Sequence, residues 1–352
     1  MRIKETCIFI FILIMHLHLF PQHVKIEQTK GILQDLKERH VAFSEIKKFA
    51  PEQKISLKRL TKLLINKDRV FILDRTQSQI FVFDMQSSYL YSIGRPGQGP
   101  GDLEYPEDFF ISDHDLVYIL NSMAKRIEIF SLSGEFKKRV DLIIPKAIPF
   151  AYPQGLAISQ DESLLVTYKL GPNLLDIYYF GGGFKRTLLS RQDRILVPGA
   201  NIGNCSQVLL LGTRDEVLYF DHFSGLFTKL DLQGSLKSTF SVFNRAHKDA
   251  MSILKKEIAK KNQEKSPTTA IETSYLYSNA CVDEDGRIYT FFLLNKADEV
   301  QKLYVFSSEG DFLYWTSLPF FKDKTIVDIY CFGKIFFFVT GDDEIFYSRK
   351  ED

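Results

Sequence analysis

Short runs of apolar, β-branched and aromatic residues, each bounded by polar turn residues, return along the chain at a nearly constant interval. Such runs predict strands, and a fixed interval predicts repeated supersecondary units. One family reads RVFIL from Arg69, LVYIL from Leu116, LLVTY from Leu164, EVLYF from Glu216, RIYTF from Arg287 and KIFFF from Lys334. The second residues, Val70, Val117, Leu165, Val217, Ile288 and Ile335, are 47, 48, 52, 71 and 47 positions apart. That is a period with one insertion.

A second family follows the first: QIFVFD from Gln79, RIEIFS from Arg126, DIYYFG from Asp176, GLFTKLD from Gly225, KLYVFS from Lys302 and EIFYS from Glu344. Five of these lead through a turn into a further apolar strand. The turns centre on Gly134, Gly182, Gly234 and Gly310, with Ser87 in the same place in the first copy, as hairpins needing positive φ demand. Another strand precedes each anchor: LTKLLI from Leu60, EDFFIS from Glu107, QGLAIS from Gln154, QVLLLG from Gln207, NACVDE from Asn279 and VDIYCF from Val327. Four antiparallel strands per unit, six times over, predict an all-β fold: a six-bladed β-propeller occupying residues 54–352. Blades stacked face to face bury both sides of each strand, which accounts for the unbroken Phe336, Phe337, Phe338 run.

The sixth unit ends just after its third strand. A strand from upstream must complete it, since an open edge exposes unpaired backbone. Residues 53–57 (QKISL) are the expected closing strand, after a lead-in segment at 23–53.

The insertion enlarges one unit. Over 245–265, Ala250, Met251, Leu254 and Ile258 share one helical face, so an amphipathic helix is expected beside the ring. Met251, Leu254 and Ile258 are candidate interaction residues, against the plainer reading of a helix packed on the blades.

At the start, Arg2 and Lys4 precede an apolar run over 7–15 that continues to Phe20 and Pro21. This is the layout of a secretory signal, removed or retained as an N-terminal anchor over residues 1–22. Cys7 stands at the front of that run, so lipid attachment is not expected. Cys205, Cys281 and Cys331 fit no CxxC pattern, and their number forbids full internal pairing.

The 352 residues carry 45 Lys+Arg against 44 Asp+Glu, with 45% hydrophobic residues and 31 Phe. This balance excludes a disordered chain and a disulfide-dense miniprotein, and it gives no bulk positive potential for nucleic acid.

The stretch from Gly94 through Arg95, Pro96, Gly97, Gln98, Gly99, Pro100 and Gly101 to Asp102, followed by Tyr105-Pro106, is the most distinctive motif. Together with KRIEIF from Lys125 and SGEF from Ser133, it resembles the bacterial secreted six-bladed β-propeller family related to NHL-repeat proteins. Asp102 stands where that family usually has Glu, and Asn121 where it often has Asp. The resemblance implies the fold and an exported bacterial protein; it implies no particular reaction. Arg95, Gln98 and Asp102 are candidate interaction residues, because glycine-rich backbone can present N–H groups to an anion. The structural reading, a tight path from rim to axis, competes with it. No GK[ST] ending follows, so nucleotide binding is not indicated.

No Ser/His/Asp or HExxH arrangement occurs, and His40, His114, His222 and His247 are scattered. Calcium on the axis would need oxygen ligands from several innermost strands, for which Asp108, Asn279, Asp283 and Asp328 are the candidates. The expected function is a non-enzymatic binding scaffold for protein, peptide or glycan, acting as a monomeric ring with no cofactor. A calcium-dependent hydrolase or lyase is the alternative, and a structural envelope component the third reading.

Overall fold

The computed structural model describes residues 39–351 except 40, 42, 52–54, 147–150, 170–172, 191–205, 212–214, 223, 242–251, 253–255, 257–276, 294–300 and 322–323. Six four-stranded antiparallel sheets stand in sequence around an axis. Blade 1 is Leu60–Asn66, Arg69–Asp74, Gln79–Asp84 and Tyr89–Ile93. Blade 2 is Pro106–Ile111, Leu116–Asn121, Arg126–Ser131 and Phe136–Asp141. Blade 3 is Pro153–Ile158, Leu164–Tyr168, Asn173–Tyr178 and Phe184–Ser190. Blade 4 is Ser206–Leu211, Glu216–Asp221, Leu226–Asp231 and Leu236–Ser241. Blade 5 is Cys281–Val282, Ile288–Phe291, Lys302–Phe306 and Phe312–Ser317. Blade 6 is Ile326–Phe332, Ile335–Thr340 and Ile345–Arg349, completed by Lys47–Phe49.

The first strand of each blade touches the first strand of the next, and that of blade 6 returns to that of blade 1. These six strands therefore surround the axis. The expected hairpin positions all have positive φ: Ser87 at 71°, Gly134 at 87°, Gly182 at 84°, Gly234 at 86° and Gly310 at 88°.

Apolar residues gather in six clusters, one per seam between neighbouring blades. The phenylalanine run shows how one strand serves two seams. Phe336 and Phe338 point into the seam with blade 5, and Phe337 points into the seam with blade 1. The second strand of blade 2 divides the same way, with Val117 and Ile119 toward blade 1 and Tyr118 and Leu120 toward blade 3. The period-2 alternation of a strand is present, but both of its faces are apolar.

Closure differs from the expectation in its residues. Lys47–Phe49, not 53–57, pairs with the third strand of blade 6, Phe49 lying opposite Ile345. Chain length gives the reason. An outer strand ending at Leu57 would leave three steps to Leu60, about 10 Å of chain, yet crossing a four-stranded blade takes roughly 14 Å. Phe49 is 2% exposed and meets Phe83, Phe337 and Tyr347 edge-on. Ile55 and Leu57 pack on the same seam without pairing there. Upstream, Ser44 continues the seal: its N–H donates to Arg349 O at 2.8 Å, and its hydroxyl accepts from Arg349 N at 3.0 Å.

The amphipathic helix expected over 245–265 falls mostly outside the described residues, Met251, Leu254 and Ile258 included, while Ser252 and Lys256 are helical; the segment 1–22 also lies outside them. No helix among the described residues is long and apolar enough to cross a membrane.

Candidate functional site

The first strand of blade 1 alternates half-buried Lys62, Leu64 and Asn66 with buried Leu63 and Ile65. Lys62, Leu64 and Asn66 thus share one face and Leu63 and Ile65 the other. Residues from all six first strands, at 62–66, 110–113, 156–157, 207–210, 280–282 and 330–332, line a cavity of 350 Å³ on the axis. Its walls are largely apolar, with Leu64, Phe110, Leu209 and Val282 contributing, and Phe332 stands 48% exposed.

A chain of polar bonds crosses the seams where these strands begin. Lys62 Nζ lies 2.5 Å from Asp108 Oδ1, joining blades 1 and 2. Asp108 Oδ2 accepts the N–H of Leu156 in blade 3 at 2.7 Å. Gln207 Oε1 in blade 4 accepts the N–H of Ala280, beside blade 5, at 2.9 Å. Asp328 in blade 6 accepts the Asn279 backbone N–H at 3.1 Å and its side-chain amide at 2.5 Å. The Tyr330 hydroxyl lies 2.6 Å from Asp328 Oδ2 and 3.3 Å from Thr61 O of blade 1. A β-bulge precedes Lys62, Asp108, Gly155 and Asp328 alike, turning equivalent positions of four blades toward the same level.

Burial pushes the Asp328 carboxyl up to about 7, against the hydrogen bonds that favour its ionised form. Burial raises Asp108 as well, with Lys62 opposing. Beside them Arg75 Nη1, from the turn in blade 1, lies 2.5 Å from Glu107 of blade 2, and Tyr152 donates to the same carboxylate at 2.9 Å.

The candidate calcium ligands are therefore divided. Asn279 and Asp328 are bonded to each other, and Asp108 is spent on a lysine and two backbone N–H groups. Asp283 lies past the other end of its strand, held by Lys350 at 3.1 Å and the Tyr289 hydroxyl at 2.7 Å. Among the described residues no group of three His, Cys, Asp or Glu side chains is placed to hold a metal ion. Sequence reasoning missed Lys62, Gln207 and Tyr330. A lysine inside an otherwise apolar strand was the available signal for the first.

The glycine-rich loop is closed on itself. Asp102 accepts the Gly99 N–H at 2.9 Å and Arg95 Nε at 2.7 Å. Gln98 is exposed and its carbonyl accepts from Arg126 at 3.4 Å. Beneath, Glu128 is fully buried, 2.6 Å from Arg126 and 3.1 Å from Arg139, and it accepts the Gly101 N–H at 3.3 Å. Arg139 also donates to Gly99 O at 2.7 Å. Asn121 accepts from Glu104 N at 2.8 Å and donates to Asp102 O at 3.2 Å. A Cβ on Gly101, whose φ is 77°, would stand 3.1 Å from the Phe136 ring. The loop's polar groups thus serve a turn between blades 1 and 2. His114 is exposed; His222 is buried, and burial lowers its pKa to about 4. His40 and His247 lie outside the described residues.

The fold and its axial cavity define a six-bladed β-propeller. Residues 50–156 match a family described as a 6-bladed beta-propeller, a span that contains every stretch on which the resemblance rested. Among curated proteins none matches. Among solved structures, the chain is similar to a "Putative exported protein" of Bacteroides fragilis, at 14% identity and a TM-score of 0.58, over 92% of this chain and 98% of that one. A duf4221 family member from Bacteroides vulgatus is 9% identical, with a TM-score of 0.59 over 89% and 98%. A virginiamycin B lyase from Staphylococcus aureus is 12% identical, with a TM-score of 0.51 over 85% and 82%. At these identities the likeness is one of fold.

Proposed function

We propose that this protein is an exported binding scaffold that takes an apolar group of a protein, peptide or glycan partner into the axial cavity. The observation that carries the reading is the cavity itself: 350 Å³, contributed to by every blade and walled mainly by apolar side chains. Concave, mostly apolar pockets with a few polar groups are the usual form of a ligand site. The carboxylates nearby are committed to holding blades together, which favours binding over catalysis. Export is supported by the arrangement of residues 1–22 and by the likeness to a protein named as exported.

The test is binding of a panel of envelope-derived peptides and glycans, followed by calorimetry, to the parent and to Leu64→Trp and Leu209→Trp, which fill the cavity. Saturable binding by the parent that both variants lose, with melting unchanged, is the expected result. Equal binding by parent and variants would move the site elsewhere.

A further inference from the structure

Cys281 and Cys331 stand on the first strands of blades 5 and 6, whose Cα atoms approach within 8 Å. Both line the axial cavity, and both belong to the apolar cluster of that seam. Burial raises the Cys281 thiol well above its ordinary range, with Cys331 first among the neighbouring groups that add to it, and neither cysteine is in a disulfide. Cys281 is 6% exposed, whereas Cys331 is only partly buried.

The structure assigns a redox modification site here: we propose that Cys281 and Cys331 form a reversible disulfide across the seam of blades 5 and 6 when the protein meets a disulfide oxidant. The oxidant is a thiol oxidoreductase disulfide or an oxidised low-molecular-weight thiol, as an oxidising envelope compartment supplies. The Cys331 thiolate attacks one oxidant sulfur, forming a mixed disulfide and releasing one thiolate. Cys281 then attacks the Cys331 sulfur, forming the internal bond and releasing the second. Two protons leave the cysteines, two electrons pass to the oxidant, and the oxidant becomes two thiols. Cys281 is buried whereas Cys331 is partly exposed, so the oxidant meets Cys331 first. This inference does not depend on the ligand proposed above. It places a covalent staple in the cavity wall, between strands joined otherwise by noncovalent contacts.

The experiment treats the full chain with glutathione disulfide, blocks free thiols by alkylation and maps the peptides by mass spectrometry. The expected product is a Cys281–Cys331 cross-linked peptide with loss of two hydrogens, reversed by dithiothreitol, and a higher melting temperature for the oxidised form. Cys281→Ser should stop at Cys331 carrying glutathione, while Cys331→Ser should leave Cys281 unmodified in the native protein. Alkylation of both cysteines at every oxidant concentration, or a cross-link through Cys205 instead, would overturn the proposal. The parent's peptide map decides the matter even if a serine variant fails to fold.

Discussion

Blade 2 and blade 6 have the same four-stranded architecture and are held in the ring by opposite means. Blade 2 is contiguous in sequence, and the glycine-rich loop fastens it to blade 1 through buried charge: Glu128 between Arg126 and Arg139, with loop N–H and C=O groups completing the network. Blade 6 is assembled from both ends of the chain and relies on aromatic burial, with Phe49 and Phe43 fitted against the phenylalanine run. Where neighbouring blades are joined by a short connection, the chain can place matched charges reliably; where the partners are nearly 300 residues apart, as Phe43 and Phe336 are, apolar contact tolerates imprecision better. Burying a charge requires full compensation, whereas apolar burial has no directional demand.

The comparison can be broken at blade 6 first. Deleting residues 39–50 should prevent a closed ring, and Phe49→Ala alone should cost about 4 kcal/mol, as for other buried Phe truncations. Urea denaturation checks it, and an unchanged midpoint for Phe49→Ala would mean that Lys47–Phe49 does not seal the blade.

Next comes the girdle that joins both blades at the axis. Asp328 is held near 7 against an ordinary 3.8, so folding favours its protonated form. Its contribution is complete below about pH 4 and is lost as pH rises through 7, a change of roughly 4 kcal/mol at most. Asp328→Asn should therefore flatten the fall in melting temperature between pH 4 and pH 7 relative to the parent. A parallel profile for the two proteins would contradict the assignment.

At blade 2, Glu128→Ala leaves two arginines facing each other in a buried seam and should cost about 3 kcal/mol. Faster proteolysis within 94–101 would place the damage in the loop; loss of stability without it would assign Glu128 to the blade alone. The smallest effect belongs to Arg95, whose side chain is 79% exposed. Arg95→Ala should leave the melting temperature unchanged, and a clear drop would show that the outer ion pair to Asp102 also holds the turn.

The number of blades, the strand families and the turn positions were legible because they rest on local runs of β-forming residues at a constant interval and on positive-φ sites at fixed offsets. The candidate site was legible only in part. Asp108, Asn279 and Asp328 read as convergent ligands because the inner-strand side-chain oxygens carry no information about what lies across a seam. Lys62, which pairs with Asp108, and Asn279, which binds Asp328, belong to neighbouring blades.

What the sequence by itself determined is the repeat: six units of alternating apolar strands cannot bury both faces except by stacking around an axis. Tertiary structure alone decided which N-terminal segment seals the ring, since that depends on the distance from rim to axis as well as on β-propensity. It also decided that axial polar groups are joints and left an apolar cavity between them. Pairing across a seam is set by the position of two blades in space, and no spacing along the chain records it.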